Sequence, residues 1–255
     1  MERVLKIENL CFTYHTLQGE TEVLKDISFT LKEGEFVAVI GPSGCGKSTL
    51  FSLIANLYQP TSGSIVVRRQ NEGSTSPIGY MLQKDYLLEW RSIYDNTLLG
   101  LEINHLLGES SIQRVEELLK LYGLWEFRNK KPSQLSGGMK QRAALIRTLA
   151  LNPDLLLLDE PFSALDYQTR ITVSSDICNL IRGTNKTVLL ITHDLSEAIS
   201  LADRILVFSN RPAHIIRDFQ VHLTRSDDTI LASRNAPEFK EYFHMLWEDL
   251  NDVRD

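Results

Sequence analysis

Cysteine is scarce in this 255-residue chain, and the three present, Cys11, Cys45 and Cys178, are odd in number and far apart. That excludes a disulfide framework or a thiolate zinc site, and reads as reduced core or loop residues of a cytosolic protein. Long apolar runs are missing too. Spanning a bilayer takes about 20 consecutive apolar residues, whereas the longest runs, 155–158 and 188–191, are strand-sized. The first ten residues hold no basic segment followed by an apolar one, so no signal peptide is expected. Any work at a membrane would require a partner to hold the protein there. Excess positive charge is also absent: the formal net charge is -6. This argues against a basic nucleic-acid binder, though not against a nucleotide held by local donors. No internal repeat or low-complexity linker divides the chain.

What is present is an ordinary globular composition, 43% hydrophobic and 24% charged, with a length suited to one large α/β domain with or without a small subdomain. Residues 4–14 alternate loosely through Ile7, Leu10 and Phe12 and predict a strand. A polar hairpin loop is expected at 15–22 and a return strand at 23–31, with Gly34 turning the chain. Residues 36–40 form a short, wholly apolar run of the kind buried in parallel sheets. A helix over 49–57 puts Leu50, Leu53, Ile54 and Leu57 on one face, and a turn at 60–63 leads to a strand at 64–69. From about 87 to 134 the pattern is helical, including 111–122 with Gly123 as its C-cap. Alternation then resumes as helix 138–150, strand 155–158, helix 169–182, strand 187–192, helix 196–202 and strand 205–209. This order predicts a mainly parallel sheet with flanking helices, interrupted by a helical insertion. In the tail, 237–253, Phe239, Phe243, Leu246, Trp247 and Leu250 share a helical face, which either packs onto its own domain or meets a partner.

Gly41-Pro42-Ser43-Gly44-Cys45-Gly46-Lys47-Ser48 fits G-x-x-x-x-G-K-[ST] between a buried strand and a helix start. Glycines let the backbone curl until successive N–H groups converge on phosphate oxygens, and the helix dipole adds favourable potential for an anion. Lys47 is expected to reach the β- and γ-phosphates and the Ser48 hydroxyl to ligate Mg²⁺. The apolar strand 155–158 ends in Asp159 and Glu160. Strand carboxyl ends gather ligands in doubly wound sheets, so Asp159 is expected near Mg²⁺ and Glu160 as the general base for water attack.

Leu135-Ser136-Gly137-Gly138-Met139 resembles the LSGGQ signature of ABC ATPases, with Met139 at a variable position. The resemblance covers almost the whole chain, with Tyr14, 41–49, Gln83, 135–139, 155–160, 163–166 and His193 in family order. It implies an α/β fold with a P-loop NTPase core of mainly parallel sheet, an N-terminal antiparallel β subdomain and an inserted α-helical subdomain. Expected limits are about 1–83 and 143–220 for the core with the β subdomain, 84–142 for the helical subdomain and 228–255 for a helical tail. It further implies ATP and Mg²⁺ as ligands, Tyr14 stacking on adenine, and Gly41, Pro42, Ser43, Gly44, Cys45, Gly46, Lys47, Ser48 and Thr49 cradling phosphate. Gln83 would contact Mg²⁺ and water, His193 would contact the γ-phosphate and orient Glu160, and Asp166 would cross to a second subunit. Ser136, Gly137 and Gly138 precede a helix and make a second anion site, which in the family faces ATP held by another subunit. A dimer with nucleotide in its interface follows.

The run Leu87-Leu88-Glu89-Trp90-Arg91 resembles the "LLPWR" segment of nitrate/sulfonate/taurine-type importer ATPases, with Glu89 in place of Pro, and 205–212 resembles the same group. Import of a small solute through a separate permease is implied, with a solute-binding protein upstream and no nucleic acid. The subunit would then sit on the cytoplasmic face of the membrane. The permease is expected to dock near 83–96, where Trp90 is either part of an exposed coupling patch or core of the insertion. The stretch after His193 is short for the regulatory domain of some sugar importers. DNA-repair relatives would need a coiled coil or zinc modules, and translation-type relatives a second cassette. An ATPase of an export complex shares every motif and stays open.

Overall fold

A computed structural model describes residues 2–17, 19–68, 78–163, 165–184, 186–225 and 229–252. The elements are β1 (Arg3–Thr16), β2 (Gly19–Lys32), β3 (Phe36–Ile40), α1 (Lys47–Ile54), β4 (Ser62–Val67), β5 (Ile78–Met81), α2 (Ile93–Ile103) and α3 (Glu109–Leu121). There follow α4 (Gly137–Leu149), β6 (Leu155–Asp159), α5 (Tyr167–Arg182), β7 (Thr187–Ile191), α6 (Leu195–Leu201), β8 (Arg204–Phe208), β9 (Ile215–Gln220), α7 (Ile230–Asn235) and α8 (Phe239–Asp252).

Among the described residues the central sheet runs β5-β6-β7-β3-β8-β9. The first five are parallel and β9 closes the edge antiparallel to β8. Strands β3, β6 and β7 are buried from end to end because both sheet faces are covered, which is why they read as continuous apolar runs. Alternate side chains go to opposite cores. Phe36, Ala38, Ile40, Leu156, Leu158, Val188 and Leu190 face α2–α6. Val37, Val39, Leu155, Leu157, Leu189 and Ile191 face α1 and the hairpin β1–β2. That hairpin joins β4 in an antiparallel sheet of order β2-β1-β4.

Several expectations are corrected. Most of the polar stretch 15–22 is strand rather than loop: Tyr14 pairs with Thr21, His15 with Glu20 and Thr16 with Gly19, while Gln18 lies outside the described residues. Polarity there marks a solvated ribbon, held by backbone pairing and a 3.2 Å His15–Glu20 contact, and the strands simply outrun the core. The strand expected at 64–69 starts at Ser62, and Arg69 lies outside the described residues. The insertion holds two α-helices. Ser92 starts α2 with a reciprocal capping box to Asp95, a signal the periodicity reading passed over. Gly123, at φ 68°, follows α3 as expected. In α8 the face turned inward carries Leu246, with Phe239, Tyr242, Met245 and Leu250 against the core. Phe243 and Trp247 are exposed and stack with centroids 6.4 Å apart, so the apolar face is wider than the surface it covers. Val253 lies outside the described residues.

Candidate active site

The strand order explains the site. Because β5, β6, β7, β3 and β8 run parallel side by side, the segments leaving their carboxyl ends stand in one row. These are Gln83 after β5, Asp159 and Glu160 at β6, His193 after β7 and the 41–48 loop after β3.

Three of these meet on one oxygen. Gln83 Nε2 donates to Glu160 Oε2 at 2.8 Å, and His193 Nδ1 lies 3.3 Å from the same atom. Glu160 adopts a left-handed conformation, φ 46°, that costs a non-glycine residue. Its amide donates to the Ile191 carbonyl at 2.9 Å and its carbonyl accepts from Ser163 Oγ at 3.0 Å. The strained residue is thereby fixed to the end of β7.

The 41–48 loop closes on itself. Lys47, only 7% exposed, donates from Nζ to the Gly41 and Pro42 carbonyls at 2.8 and 2.9 Å. Gly44 and Gly46 take φ of 76° and 128°. A Cβ on Gly46 would stand 2.7 Å from a Val23 methyl, so only glycine fits. Beneath the loop, Asp159 is buried, hydrogen-bonded to Ser48, and 3.4 Å from the Tyr80 hydroxyl that donates to it. Burial pushes its carboxyl above the usual range, opposed by the Ser48 hydrogen bond. Ser48 and Asp159 form an oxygen-only donor pair of the kind that suits a hard cation such as Mg²⁺. Burial also pushes the Cys45 thiol up, opposed by Lys47 and Arg211. A cleft of about 230 Å³ is lined by Ser43, Gly44, Gly46, Lys47, Ser48, Thr49, Glu160, Ile191 and Arg211.

Tyr14 lies at the side of this loop, its hydroxyl 3.3 Å from Thr49 Oγ1 and its ring edge-on to Phe12 and Tyr58. Ser136 caps α4, accepting from the Met139 amide at 3.4 Å. Gly137 and Gly138 lie against Leu165, Thr169 and Val173, and none of the three signature residues lines the cleft. Asp166 caps α5; hydrogen bonds from Thr169 hold its carboxyl below the ordinary range. Ala164, in the same 163–166 run, lies outside the described residues. Asp194 caps α6 through the amides of Ser196 and Glu197.

Sequence reasoning missed a group behind His193. Thr192 donates its hydroxyl to the buried carboxyl of Glu197 and accepts from the Asp194 amide. Arg170 lies 3.6 Å from Asp194 and donates to the Leu165 carbonyl at 3.0 Å, tying 163–166 to the His193 loop. Tyr80 and Arg211 were missed as well. Each reaches the site through strand order, which motif spacing does not carry.

A family model described as ABC transporter matches residues 24–163. The chain belongs to the ABC transporter family. As an ABC ATPase it binds and hydrolyses ATP. It is 42% identical over 250 residues to the ABC transporter ATP-binding protein YtlC of Bacillus subtilis, covering 98% of this chain and 96% of that one. It is 38% identical to a taurine import ATP-binding protein, TauB, of Pelagibacter ubique, covering 94% of each. It is also 42% identical to the nitrate import ATP-binding protein NrtD of Synechococcus elongatus, covering 80% of this chain and 76% of that one. Among solved structures, a dimeric ATP-binding cassette in a post-hydrolysis state with ADP and Pi superposes with a TM-score of 0.71 at 32% identity, covering 86% of this ABC ATPase and 99% of that chain.

Proposed function

We propose that this ABC ATPase powers import of a small oxyanion or sulfonate solute through a separate permease, and that Glu160 is its general base. The convergence of Gln83 and His193 on one Glu160 oxygen carries the reading. A carboxylate held this way is oriented to accept a proton from water, while His193 and Gln83 keep it from turning away. Lys47 and the loop amides of 41–49 bind the phosphates, and Tyr14 offers a ring for adenine. Ser48, Asp159 and Gln83 would hold Mg²⁺, which supplies charge neutralisation on the transferring phosphoryl group when bound.

Ser136, Gly137 and Gly138 take the ATP of a second subunit in a head-to-tail dimer, with Asp166 crossing between them. That none of them lines the cleft supports a role in trans. The dimeric, nucleotide-bound cassette above supports a dimer as the working form. The division into a core, a helical subdomain at about 84–142 and a tail at about 228–255 belongs to this reading. It is supported by α4, which packs against α2, α3 and α5 and so ties the insertion to the sheet.

The taurine and nitrate importers support the solute class. Among the described residues no helix is long and apolar enough to cross a membrane, which fits a peripheral subunit held at the cytoplasmic face by its permease. Exposed Leu82, Tyr86 and Trp90 offer that permease an apolar docking patch beside Gln83. Glu160→Gln tests the catalytic part: ATP binding is retained and steady-state hydrolysis falls about 10²- to 10⁴-fold. Hydrolysis at the wild-type rate would remove Glu160 as the base. Uptake of labelled taurine or nitrate by permease-containing vesicles tests the solute class.

A further inference from the structure

The row of strand ends has a fifth member. β8 lies beside β3, in parallel and with Ile40 opposite Val207, so the segment leaving β8 emerges next to the 41–48 loop. That segment carries Arg211, which lines the same cleft as Lys47 and Glu160. Its Nε donates to the Gly44 carbonyl. A guanidinium has five N–H donors. Among the described residues Arg211 makes no ion pair, and no other hydrogen bond of its side chain is formed. An exposed cation without an anionic partner, aimed into an anion cradle, has donors to spare for a ligand.

The segment is held rather than loose. Ser209 Oγ lies 2.9 Å from His214 Nδ1, and the Ser209 amide donates to the His214 carbonyl at 3.0 Å. Ala213 exchanges backbone hydrogen bonds with β2, accepting from Lys25 at 2.9 Å and donating to Val23 at 2.8 Å. Val23 is also the residue that a Cβ on Gly46 would strike. Loop and segment therefore share one support, and Arg211 is presented to the cleft from a fixed base. The cleft's second cation is Lys47, whose ammonium is engaged by loop carbonyls.

Resting on the ATP-binding reading, we infer that Arg211 is a second cationic determinant of nucleotide affinity, contacting the polyphosphate of ATP or ADP from the end of β8. Its hold on Gly44 keeps it in position, while its charge supplies the affinity. Equilibrium titration of the full chain with fluorescent ATP and ADP in magnesium buffer, alongside Lys47→Ala and thermal melting, tests this. Arg211→Gln keeps an N–H for the Gly44 carbonyl and removes the charge. It should weaken both nucleotides about tenfold or more, with KM for ATP raised more than kcat is lowered. Arg211→Lys should recover much of the loss. Glutamine binding as tightly as arginine, while Lys47→Ala fails to bind, would overturn the inference alone and leave a structural hook. A wild-type chain that fails to bind ATP would overturn the nucleotide reading itself. If Arg211→Gln does not fold, Arg211→Lys decides: near wild-type affinity supports the charge, and loss with an unchanged melt refutes it.

Discussion

Glu197 is a carboxyl group only 6% exposed, on the first turn of α6, and it receives the Thr192 hydroxyl from the segment carrying His193. Burial is the main reason its pKa rises from 4.5 to about 7; Asp194 and Glu160 add to the rise, while Thr192 and Arg170 oppose it. A raised carboxyl pKa means that the folded state binds the proton more tightly than the unfolded chain. The resulting stability is complete below pH 4.5 and disappears as pH rises through about 7. At about 1.4 kcal/mol per pH unit, the full change is about 3 kcal/mol. Glu197→Gln keeps a carbonyl for Thr192 but cannot titrate. Urea unfolding of both proteins at pH 5 and pH 8 isolates the effect, because every other titration is common to the pair. Wild type should lose about 2–3 kcal/mol more than the variant over that interval, since at pH 5 part of the full change has already gone. Parallel pH profiles would refute the account of Glu197 as a neutral, buried anchor for the His193 segment.

Gly46→Ala forces a Cβ to 2.7 Å from Val23 at a φ of 128°. Overpacking and backbone strain of this kind cost about 1–3 kcal/mol each, so urea unfolding should show a loss of about 2–6 kcal/mol, and ATP titration no measurable binding. Trp90→Ala touches a side chain 72% exposed, so the melting temperature should stay within about 1 °C. Permease-stimulated ATP hydrolysis in reconstituted vesicles should nonetheless fall, because the docking patch loses its largest ring.

Much of the catalytic layout was legible because it is built from local chemistry. The turn conformations of Gly44 and Gly46, the buried runs of β3 and β6 and the helix start at Ser136 all write themselves into adjacent positions. What sequence could not carry was lateral order. Nothing near Arg211 says that β8 lies beside β3, and nothing near Glu197 says that its carboxyl turns back under Thr192. Solvation misled at one place and left another open, for related reasons. The polar 15–22 stretch reads as loop although 15–16 and 19–22 are paired as strand, and the shared apolar face of the tail could not say which of its residues pack inward, because α8 buries Leu246 and leaves Phe243 and Trp247 exposed. Trp90 could not be resolved from composition. Its exposure follows from where Leu87 and Ile93 turn inward.

The most direct test of the central claim is the oligomeric state of Glu160→Gln, followed by light scattering with and without ATP. With hydrolysis blocked, two nucleotides should be trapped between the 41–48 loop of one subunit and Ser136–Gly138 of the other, and the mass should double on adding ATP. Ser136→Arg in the same background should abolish the shift. A protein that binds ATP tightly yet stays monomeric, both alone and with its permease, would contradict the shared site and the role assigned to Glu160 within it.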